Sequence, residues 1–572
     1  MNLRINGAIL LATATTISLA EGVHVVLQDG TRLSELQARM AGLDITVNRE
    51  RKSTKLLGNG NYARQKFTFK ANADVVVKRF ELATLKGGHV LGSVPGSPLT
   101  TPTRWMSIED PMAKVEGEAS YVERKLPLRK GQSISFTVVF GQAKKGQLRR
   151  AFNQYIEAER PRPYEPFLHY NSWYDLGYFD KYTADQCVER VDTFGDELVK
   201  KRGVRLSSFL FDDGWDDTST VWEFHKGFPN GFKQVSDAAH KFGAEPGAWL
   251  SPWGGYGKPR EERLATGKQA GMEIDSQGYA LSGPKYFKRF SEVTHDLVAH
   301  HGINQFKFDG TGSPDKQFPG SAFDSDFSAA ISLIGSLRAA KPGLFINLTT
   351  GTWPSPFWTR YADSIWRGGS DHSFAGEGTW RQKWITYRDG DTFHGVVQKG
   401  PLYPLNSLML HGLIYAQHAQ HLADDPGGDF GDEVRTYFAS GTQLQEMYIT
   451  PSLLTRSDWD TLAQCANWSR THKSELVDTH WVGGDPLAGE VYGWASWNGG
   501  KATLCLRNPT SHDQMFSIEP GRVWQLPKLA VYHLSPTLGS QAKDLRIGKG
   551  RSKVVTLKPF EVLAWDAEEV RK

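Results

Sequence analysis

Acidic residues directly follow apolar segments at three places in the middle of the chain. The segments RLSSFLF, INQFKF and SIWRGGS run into Asp212 and Asp213, into Asp309, and into Asp371, respectively. A buried charge costs several kcal/mol unless it is paired or hydrogen-bonded, so a core segment that ends in carboxylates needs a reason. Two carboxylates beside a glycosidic bond supply one, because the first can attack the anomeric carbon while the second protonates the leaving oxygen.

Asp309 and Asp371 have the local settings that these two roles require. Asp309 lies two residues after Lys307, so both side chains of a strand would point to the same side, and the ammonium would keep Asp309 ionised as a nucleophile. Asp371 follows two glycines in a turn open to solvent, which suits a proton donor that later activates water. An ion pair with Lys307 or a helix N-cap would explain Asp309 without catalysis. The rival proton donors are Asp363, Glu377 and Glu446.

Other polar and aromatic residues also stand at the ends of apolar segments. The carboxyl ends of parallel strands lie on one face of a barrel, where active sites are built, so we expect these residues to surround one site. Asp212 and Asp213 would accept hydrogen bonds from sugar hydroxyls, with Trp215 stacked nearby. The chain has 18 Trp, whose faces suit sugars but also fill cores. The predicted substrate-binding residues at segment ends are Trp173, Asp212, Asp213, Trp215, Trp249, Lys307, Thr352, Trp353 and Arg367.

The order of segment types predicts an α/β protein of three domains. Residues 1–155 carry short alternating runs broken by Gly, Pro and Asn, as expected for an N-terminal β-sandwich. Residues 160–480 alternate apolar strands with amphipathic helices, and eight such strands would close a (β/α)8 barrel of the TIM type. Residues 485–572 return to short strands and predict a C-terminal antiparallel β domain, again a sandwich. The alternative to the barrel, an open doubly wound sheet, would show a Gly-rich turn after its first strand, and NSWYDLGY is not one.

Composition limits the possible partners. The 572 residues include 67 basic and 63 acidic side chains, a net charge of +4 without a basic run, so we expect no nucleic-acid partner. Cys187, Cys465 and Cys505 are too few and too widely spaced for a disulfide framework or a cysteine metal site. No stretch reaches the ~20 apolar residues of a membrane span. Residues 1–20 fit either a signal peptide, hence a secreted or periplasmic protein, or a first β-strand of a cytoplasmic one.

A metal ion is an alternative use of two clusters. Hard cations bind clustered carboxylates, so Asp212 and Asp213 also fit a Ca²⁺ or Mg²⁺ site. His411, His418 and His421 lie close together in sequence, but His418 and His421 fit one face of a helix better. Our expectation is that the protein uses neither a metal nor a cofactor, and the metal site at Asp212 and Asp213 remains the alternative.

The segments FDDGW, KFD and WRGGSD resemble motifs of the clan D retaining α-glycosidases, the α-galactosidases and α-N-acetylgalactosaminidases of glycoside hydrolase families 27 and 36. The resemblance implies a retaining exo-acting barrel enzyme that removes terminal α-linked galactose or N-acetylgalactosamine. By resemblance, Asp212 and Asp213 bind galactose hydroxyls, Lys307 and Arg367 contact the sugar, Asp309 is the nucleophile and Asp371 is the acid/base.

The fifth strand adds an indication about the sugar. The segment TGTWPSP places Thr352 and Ser355 where family 27 enzymes face the 2-substituent, and small residues there leave space for an N-acetyl group. The N-terminal β domain is similar to family 36, whereas WRGGSD is closer to family 27.

Two other classes of function remain open. A glycosidase-like barrel could bind glycans without turnover, or a barrel hydrolase could use a metal ion at Asp212 and Asp213. In the enzymatic case the expected partner is an α-linked oligosaccharide or glycoconjugate.

Overall fold

The computed structural model describes residues 23–50, 61–310, 318–349 and 351–570. Within these residues the centre is a nine-stranded sheet in which every pairing is parallel. Its strands are almost entirely buried, as their continuous apolar sequences predict. They span Phe167–Asn171, Ser208–Phe211, Glu245–Leu250, Gln305–Phe308, Phe345–Leu348, Ser364–Trp366, Leu408–Met409, Leu413–Tyr415 and Leu444–Ile449.

The strand order forces this sheet to curl. One edge is Leu408–Met409, the other edge is Leu413–Tyr415, and the remaining strands lie between them. Only residues 410–412 join the two edge strands, and this connection can span at most about 14 Å. The two edges of the sheet therefore lie close together in space.

Helices alternate with the parallel strands and confirm the α/β prediction. Thr183 caps the first of them through a capping box with Gln186, as its position in the sequence predicts. That helix continues as a π-helical segment, Gly195–Lys200, and the chain turns at Gly203, where φ is +65°. The helices span Ala184–Phe194, Lys233–His240, Gly257–Gln269, Pro284–His300, Asp326–Ala340, Trp380–Thr392, Phe430–Ala439 and Arg456–Thr471.

The N-terminal part consists of two antiparallel sheets, of five and six strands in the described residues, packed around one apolar core. The rings of Phe69, Phe80 and Phe136 meet in this core. Its strands are His24–Leu27, Arg32–Ser34, Leu43–Glu50, Asn61–Ala71, Val77–Thr84, His89–Val90, Leu99–Thr101, Arg104–Ile108, Lys114–Glu116, Ala119–Glu123 and Ser133–Gln142, and its helices are Glu35–Met40 and Leu148–Glu159.

The C-terminal part is also antiparallel. A six-stranded sheet and a separate two-stranded ladder enclose a core that contains Trp497, Trp524 and Trp565. The sheet strands are His480–Gly483, Tyr492–Asn498, Lys501–Arg507, Tyr532–Pro536, Leu545–Ile547 and Val562–Glu569, and the ladder pairs Gln514–Ile518 with Lys553–Leu557.

Other expectations about the chain can be compared directly with the structure. The three cysteines are buried and form no disulfide. In the described residues no helix combines the length and apolar character that crossing a membrane requires. Residues 416–422 form turns, so the helix expected for His418 and His421 is wrong. The candidate signal peptide lies outside the described residues.

Buried charges connect the N-terminal helix to the C-terminal part. Arg149 and Arg150 donate hydrogen bonds to the carboxylate of Asp478 at 2.9 and 3.0 Å. Arg150 also donates to the carbonyl oxygens of Trp524 and Gln525, at 2.6 and 2.7 Å. Burial by itself raises the pKa of Asp478, but the two arginines outweigh burial and lower it overall.

Removing this carboxylate should be costly. The variant Asp478→Ala leaves the buried guanidinium of Arg150 and the partly buried one of Arg149 without this carboxylate, so we expect the free energy of unfolding to fall by about 3–5 kcal/mol in urea titrations. Because the folded-state pKa is lowered, this contribution is present above the ordinary value of 3.8 and is lost as the pH falls below it. The control is Asp460→Ala, whose carboxylate pairs with Arg202 at 2.7 Å but is 57% exposed, and it should cost about 1 kcal/mol or less. Equal losses in the two variants would contradict the prediction.

Candidate active site

The carboxyl ends of the parallel strands bring four charged groups together, those of Asp212, Lys307, Asp309 and Asp371. The Lys307 ammonium donates to Asp212 Oδ2 at 2.9 Å, and all three carboxylates lie close enough for their charges to act on it. Burial by itself lowers the pKa of Lys307, but the carboxylates outweigh burial and raise it overall. Lys307 is therefore a permanent positive charge in this site.

Three donors from separate segments hold the Asp309 carboxylate. Trp249 Nε1, on the third strand, donates to Oδ2 at 3.0 Å. Tyr256 OH donates to Oδ1 at 3.1 Å, and Thr349 Oγ1, beyond the fifth strand, donates to the same oxygen. These hydrogen bonds fix the orientation of the Asp309 carboxyl group in the site.

Asp371 has a different environment. It retains exposure to solvent, yet the protein around it displaces enough water to raise its pKa to about 6. Lys307 and Arg367 act against this rise, whereas the negative charges of Asp309 and Asp212 add to it. Near neutral pH this carboxyl group can therefore both donate and accept a proton.

The two adjacent aspartates in the turn after the second strand bind different cations. Asp212 points to Lys307, and its backbone N–H donates to Ser172 Oγ at 2.8 Å. Asp213 instead accepts from Arg263, a buried residue of the helix Gly257–Gln269. Gly214 has a φ of +127°, and a side chain there would collide with the Asp180 carbonyl, so the turn requires glycine.

Arg263 is a functional residue that the sequence did not reveal. Its guanidinium donates to Asp213 and also to both oxygens of Asp216, at 2.8 and 2.6 Å. The rings of Trp222 and Trp249 lie 4.7 and 5.3 Å from the guanidinium carbon. Burial raises the pKa of Asp213. Arg263 does not cancel this rise, because its single positive charge is shared with the second buried carboxylate, Asp216. The acids that follow the second strand indicated that a positive charge must lie nearby, but the sequence did not indicate which residue supplies this charge.

Two predicted tryptophans do not face a substrate. Trp215 is completely buried, donates to the Trp249 carbonyl at 2.9 Å and packs on Phe224 and Phe232, so the expected stacking on a sugar is wrong. Trp249 is buried too and contacts Asp309 instead of solvent. Trp173 is half-buried beside Phe179, with ring centroids 5.0 Å apart.

The residues after the fifth strand face the N-terminal part. Trp353 Nε1 donates to the carbonyls of Pro95 and Pro111 at 2.9 and 3.1 Å. Ser355 is completely buried, and a side chain at Gly96 would collide with it. Thr352 Oγ1 donates to the Thr349 carbonyl at 2.8 Å. Because Ser355 has no exposed surface, its expected contact with a sugar is not made in this structure.

Arg367 binds its own loop. The buried guanidinium donates to the carbonyls of Gly368, Ser370 and Asp371, at 2.5, 2.8 and 3.3 Å, and to the Asp391 carboxylate. It is therefore placed to hold the loop that carries Asp371, and the expected contact with the sugar is replaced by contacts with this loop.

The rival acids are distributed over three environments. Asp363 is buried and accepts from Arg338 and from the Ile346 N–H at 2.9 and 2.8 Å. Glu377 accepts from the Ser511 N–H of the C-terminal part at 2.9 Å. Glu446 shares the site with Lys307, and burial raises its pKa to about 7. Since Glu446 is completely buried, it has no contact with solvent water.

The candidate metal ligands do not converge. In the part of the chain that the structure describes, no group of three or more His, Cys, Asp or Glu side chains is arranged to hold a metal ion. Oxygens of Asp212 and Asp213 face the cations of Lys307 and Arg263. His411 stacks on Tyr448, whereas His421 stacks on Trp380.

The chain shares its fold with solved α-galactosidases, which confirms the resemblance to clan D enzymes at the level of fold. A double variant of a GH36 α-galactosidase from Geobacillus stearothermophilus, in complex with raffinose, aligns with a TM-score of 0.62 at 12% identity over 96% of this chain and 89% of that chain. The galactosidase domain of an α-galactosidase–sucrose kinase gives 0.63 at 10% identity over 96% and 88%. The α-galactosidase from Lactobacillus brevis gives 0.60 at 11% identity over 96% and 88%. No protein-family model matches the sequence, and no curated protein matches it.

The shared role of Arg263 predicts a large effect of its removal. The variant Arg263→Met leaves Asp213 and Asp216 buried without their cation, and we expect the free energy of unfolding to fall by about 3–5 kcal/mol. Burial already raises the folded-state pKa of Asp213, and removing Arg263 removes the charge that acts against this rise, so the loss should grow as the pH increases from about 5 to 8. Denaturant titrations at several pH values measure this.

Lys258→Met is the matched control on the same helix. Lys258 is 84% exposed and lies 3.8 Å from Glu262, so its removal should cost about 0.5 kcal/mol or less. A pH-independent loss in Arg263→Met would contradict the assigned role of the shared cation.

Proposed function

We propose that this protein is an exo-acting retaining α-glycosidase that removes terminal α-linked galactose or N-acetylgalactosamine. One observation carries the proposal, namely the contrast between two carboxyl groups in one site. Three donors of the described residues hold Asp309 in place, while the pKa of Asp371 is raised to about 6. Such a separation of environments is how one site assigns a nucleophile and an acid. The fold shared with GH36 enzymes supports the same chemistry.

In the first step, an Asp309 carboxylate oxygen attacks the anomeric carbon. The bond between this carbon and the glycosidic oxygen breaks, and the protonated Asp371 carboxyl gives its proton to the departing oxygen. The products are a covalent glycosyl–Asp309 ester, the free leaving group and an ionised Asp371. Asp212, held by Lys307, is placed to accept hydrogen bonds from sugar hydroxyls.

In the second step, the Asp371 carboxylate removes a proton from water, and the resulting oxygen nucleophile attacks the anomeric carbon. The ester bond to Asp309 breaks, so the sugar leaves with its original α configuration. The exposure of Asp371 provides access for this water, which the buried Glu446 lacks. This difference favours Asp371 as the acid/base.

The proposal includes a domain arrangement. Eight segments of residues 160–480 would form a (β/α)8 barrel that closes through residues 408–415, with a β-sandwich over 1–155 and another over 485–572. The short connection between the sheet edges supports closure, since it leaves little space for an open sheet.

The identity of the sugar is a separate part of the proposal. With Ser355 buried against the N-terminal part, the TGTWPSP segment no longer favours an N-acetyl group over a hydroxyl. Hydrolysis rates on aryl α-galactosides and aryl α-N-acetylgalactosaminides distinguish the two.

The nucleophile assignment predicts both a rate and a product. Wild-type protein should release the α-anomer first, as followed by proton NMR, and Asp309→Asn should lower the rate by at least about 10³-fold because an amide is a poor nucleophile. The control Asp217→Asn changes a partly exposed aspartate of the short strand Asp216–Asp217 and should keep nearly the wild-type rate. Wild-type turnover by Asp309→Asn, or a β-anomer as first product, would rule the proposal out. Glycan binding by wild-type protein without any turnover would indicate a non-catalytic lectin-like protein instead.

The acid assignment predicts a pH profile. Asp371 must be protonated to aid the leaving group, so kcat/KM should decline as the pH rises above about 6. Asp371→Ala should remove this decline and lower kcat/KM by about 10²–10⁴-fold on substrates with poor leaving groups. On a glycosyl fluoride, whose departure needs no proton, the first step should be much less affected. If the decline persists in Asp371→Ala, the proton donor is another residue, with Glu446 as the first candidate.

A further inference from the structure

We propose that Tyr178, Phe179 and His418 form an aromatic wall that binds the sugar units of the leaving group and thereby selects oligosaccharide substrates. The inference rests on the proposed function and extends it beyond the scissile bond. All three side chains are exposed beside the candidate active site.

The backbone of the wall is strained. Tyr178 and Phe179 have φ values of +62° and +72°, in the left-handed region that bulky residues rarely occupy. Such a backbone conformation is unfavourable and persists only where the surrounding structure enforces it. The two rings are still 40% and 45% exposed, so burial compensates for this cost only in part. Two bulky aromatic residues with left-handed backbone and partly exposed rings point to a ligand.

A buried carboxylate builds the turn that enforces this strain. Asp175 accepts from Tyr170 OH, Arg190 Nε and Thr450 Oγ1, at 2.7, 2.6 and 2.8 Å. The N–H groups of residues 176 and 177 both donate to the Ser172 carbonyl, at 2.9 and 3.0 Å. The wall is thus carried by a rigid loop.

The loop after the strand Leu413–Tyr415 completes the wall. The His418 N–H donates to the Tyr174 carbonyl at 3.1 Å, and Gln417 Nε2 donates to the Asp175 carbonyl at 2.7 Å. The His418 and Tyr178 rings are parallel within 1°, with centroids 6.1 Å apart. Two separate loops therefore hold aromatic faces in a fixed relation.

Contacts through Tyr174 connect the wall to the proposed acid/base residue. Tyr174 packs on Tyr178 with ring centroids 5.8 Å apart, and Tyr174 OH is 2.9 Å from His372 Nδ1. His372 is the neighbour of Asp371, whose charge also acts on Tyr174. The acid/base group must touch the glycosidic oxygen, so surfaces on its solvent side contact the leaving group.

The chemistry of the wall suits neutral sugars. Aromatic faces pack against the C–H faces of a pyranose ring, while a phenol and an imidazole can exchange hydrogen bonds with its hydroxyls. A single atom such as fluoride is too small to reach such a wall. The wall should therefore distinguish substrates by the length of the leaving group.

The test compares a tetrasaccharide that ends in the α-linked sugar found by the aryl-glycoside comparison with the α-fluoride of the same sugar. Tyr178→Asn and Phe179→Asn remove each ring but keep a residue type that tolerates the left-handed backbone. We expect the ratio of kcat/KM on the tetrasaccharide to kcat/KM on the fluoride to fall about three- to tenfold in each variant. His418→Asn should lower the ratio in the same direction.

Met515→Asn is the control, since Met515 is an apolar residue of the C-terminal ladder that is 74% exposed, and it should leave both values unchanged. An unchanged ratio in the wall variants would overturn the inference, whether both values stay constant or fall together. If wild-type protein hydrolyses the fluoride but the ratio of the two kcat/KM values is the same in wild-type protein and in the wall variants, only this inference fails. If wild-type protein hydrolyses neither substrate, the proposed function fails and the inference fails with it.

Discussion

The ammonium group of Lys307 is the charge on which the arrangement of the candidate site depends. It is buried, bonded to Asp212 and influenced by Asp309 and Asp371. In a poorly solvated site a single cation interacts strongly with several carboxylates and offsets their mutual repulsion. Because these acids come from the second, fourth and sixth strands, the charges can meet only if the sheet curls. The curl of the sheet therefore brings the charges together, and the attraction between Lys307 and the acids in turn stabilises this arrangement.

Many polar and aromatic side chains near the site hold other protein groups in place. Arg367 binds the carbonyls of the loop that carries Asp371, and Arg263 holds Asp213 and Asp216. Trp249 donates its indole N–H to Asp309. A reacting carboxyl group must keep its position to within a fraction of an ångström, and such contacts supply that rigidity.

The N-terminal and C-terminal parts also take part in this support. Two N-terminal carbonyls accept from Trp353, beyond the fifth strand, and the C-terminal part binds Glu377, beyond the sixth strand. Loops that follow strands of the central sheet are thus tied to the antiparallel sheets of the chain. This explains why residues such as Ser355 have no surface left for a substrate.

The sequence by itself determined the alternation of strands and helices and the positions of acids at the strand ends. These features follow from local periodicity, since the pleat of a strand sets the side on which Lys307 and Asp309 lie whatever the rest of the chain does. Only the tertiary structure decided which groups meet them. Trp249 and Thr349 reach Asp309 from 60 and 40 residues away, and Lys307 reaches Asp212 across 95. The direction of a loop side chain such as Trp215 depends on packing between distant segments, which no local pattern encodes. For that reason the role expected for Trp215 was wrong, although the positions of the acids were predicted.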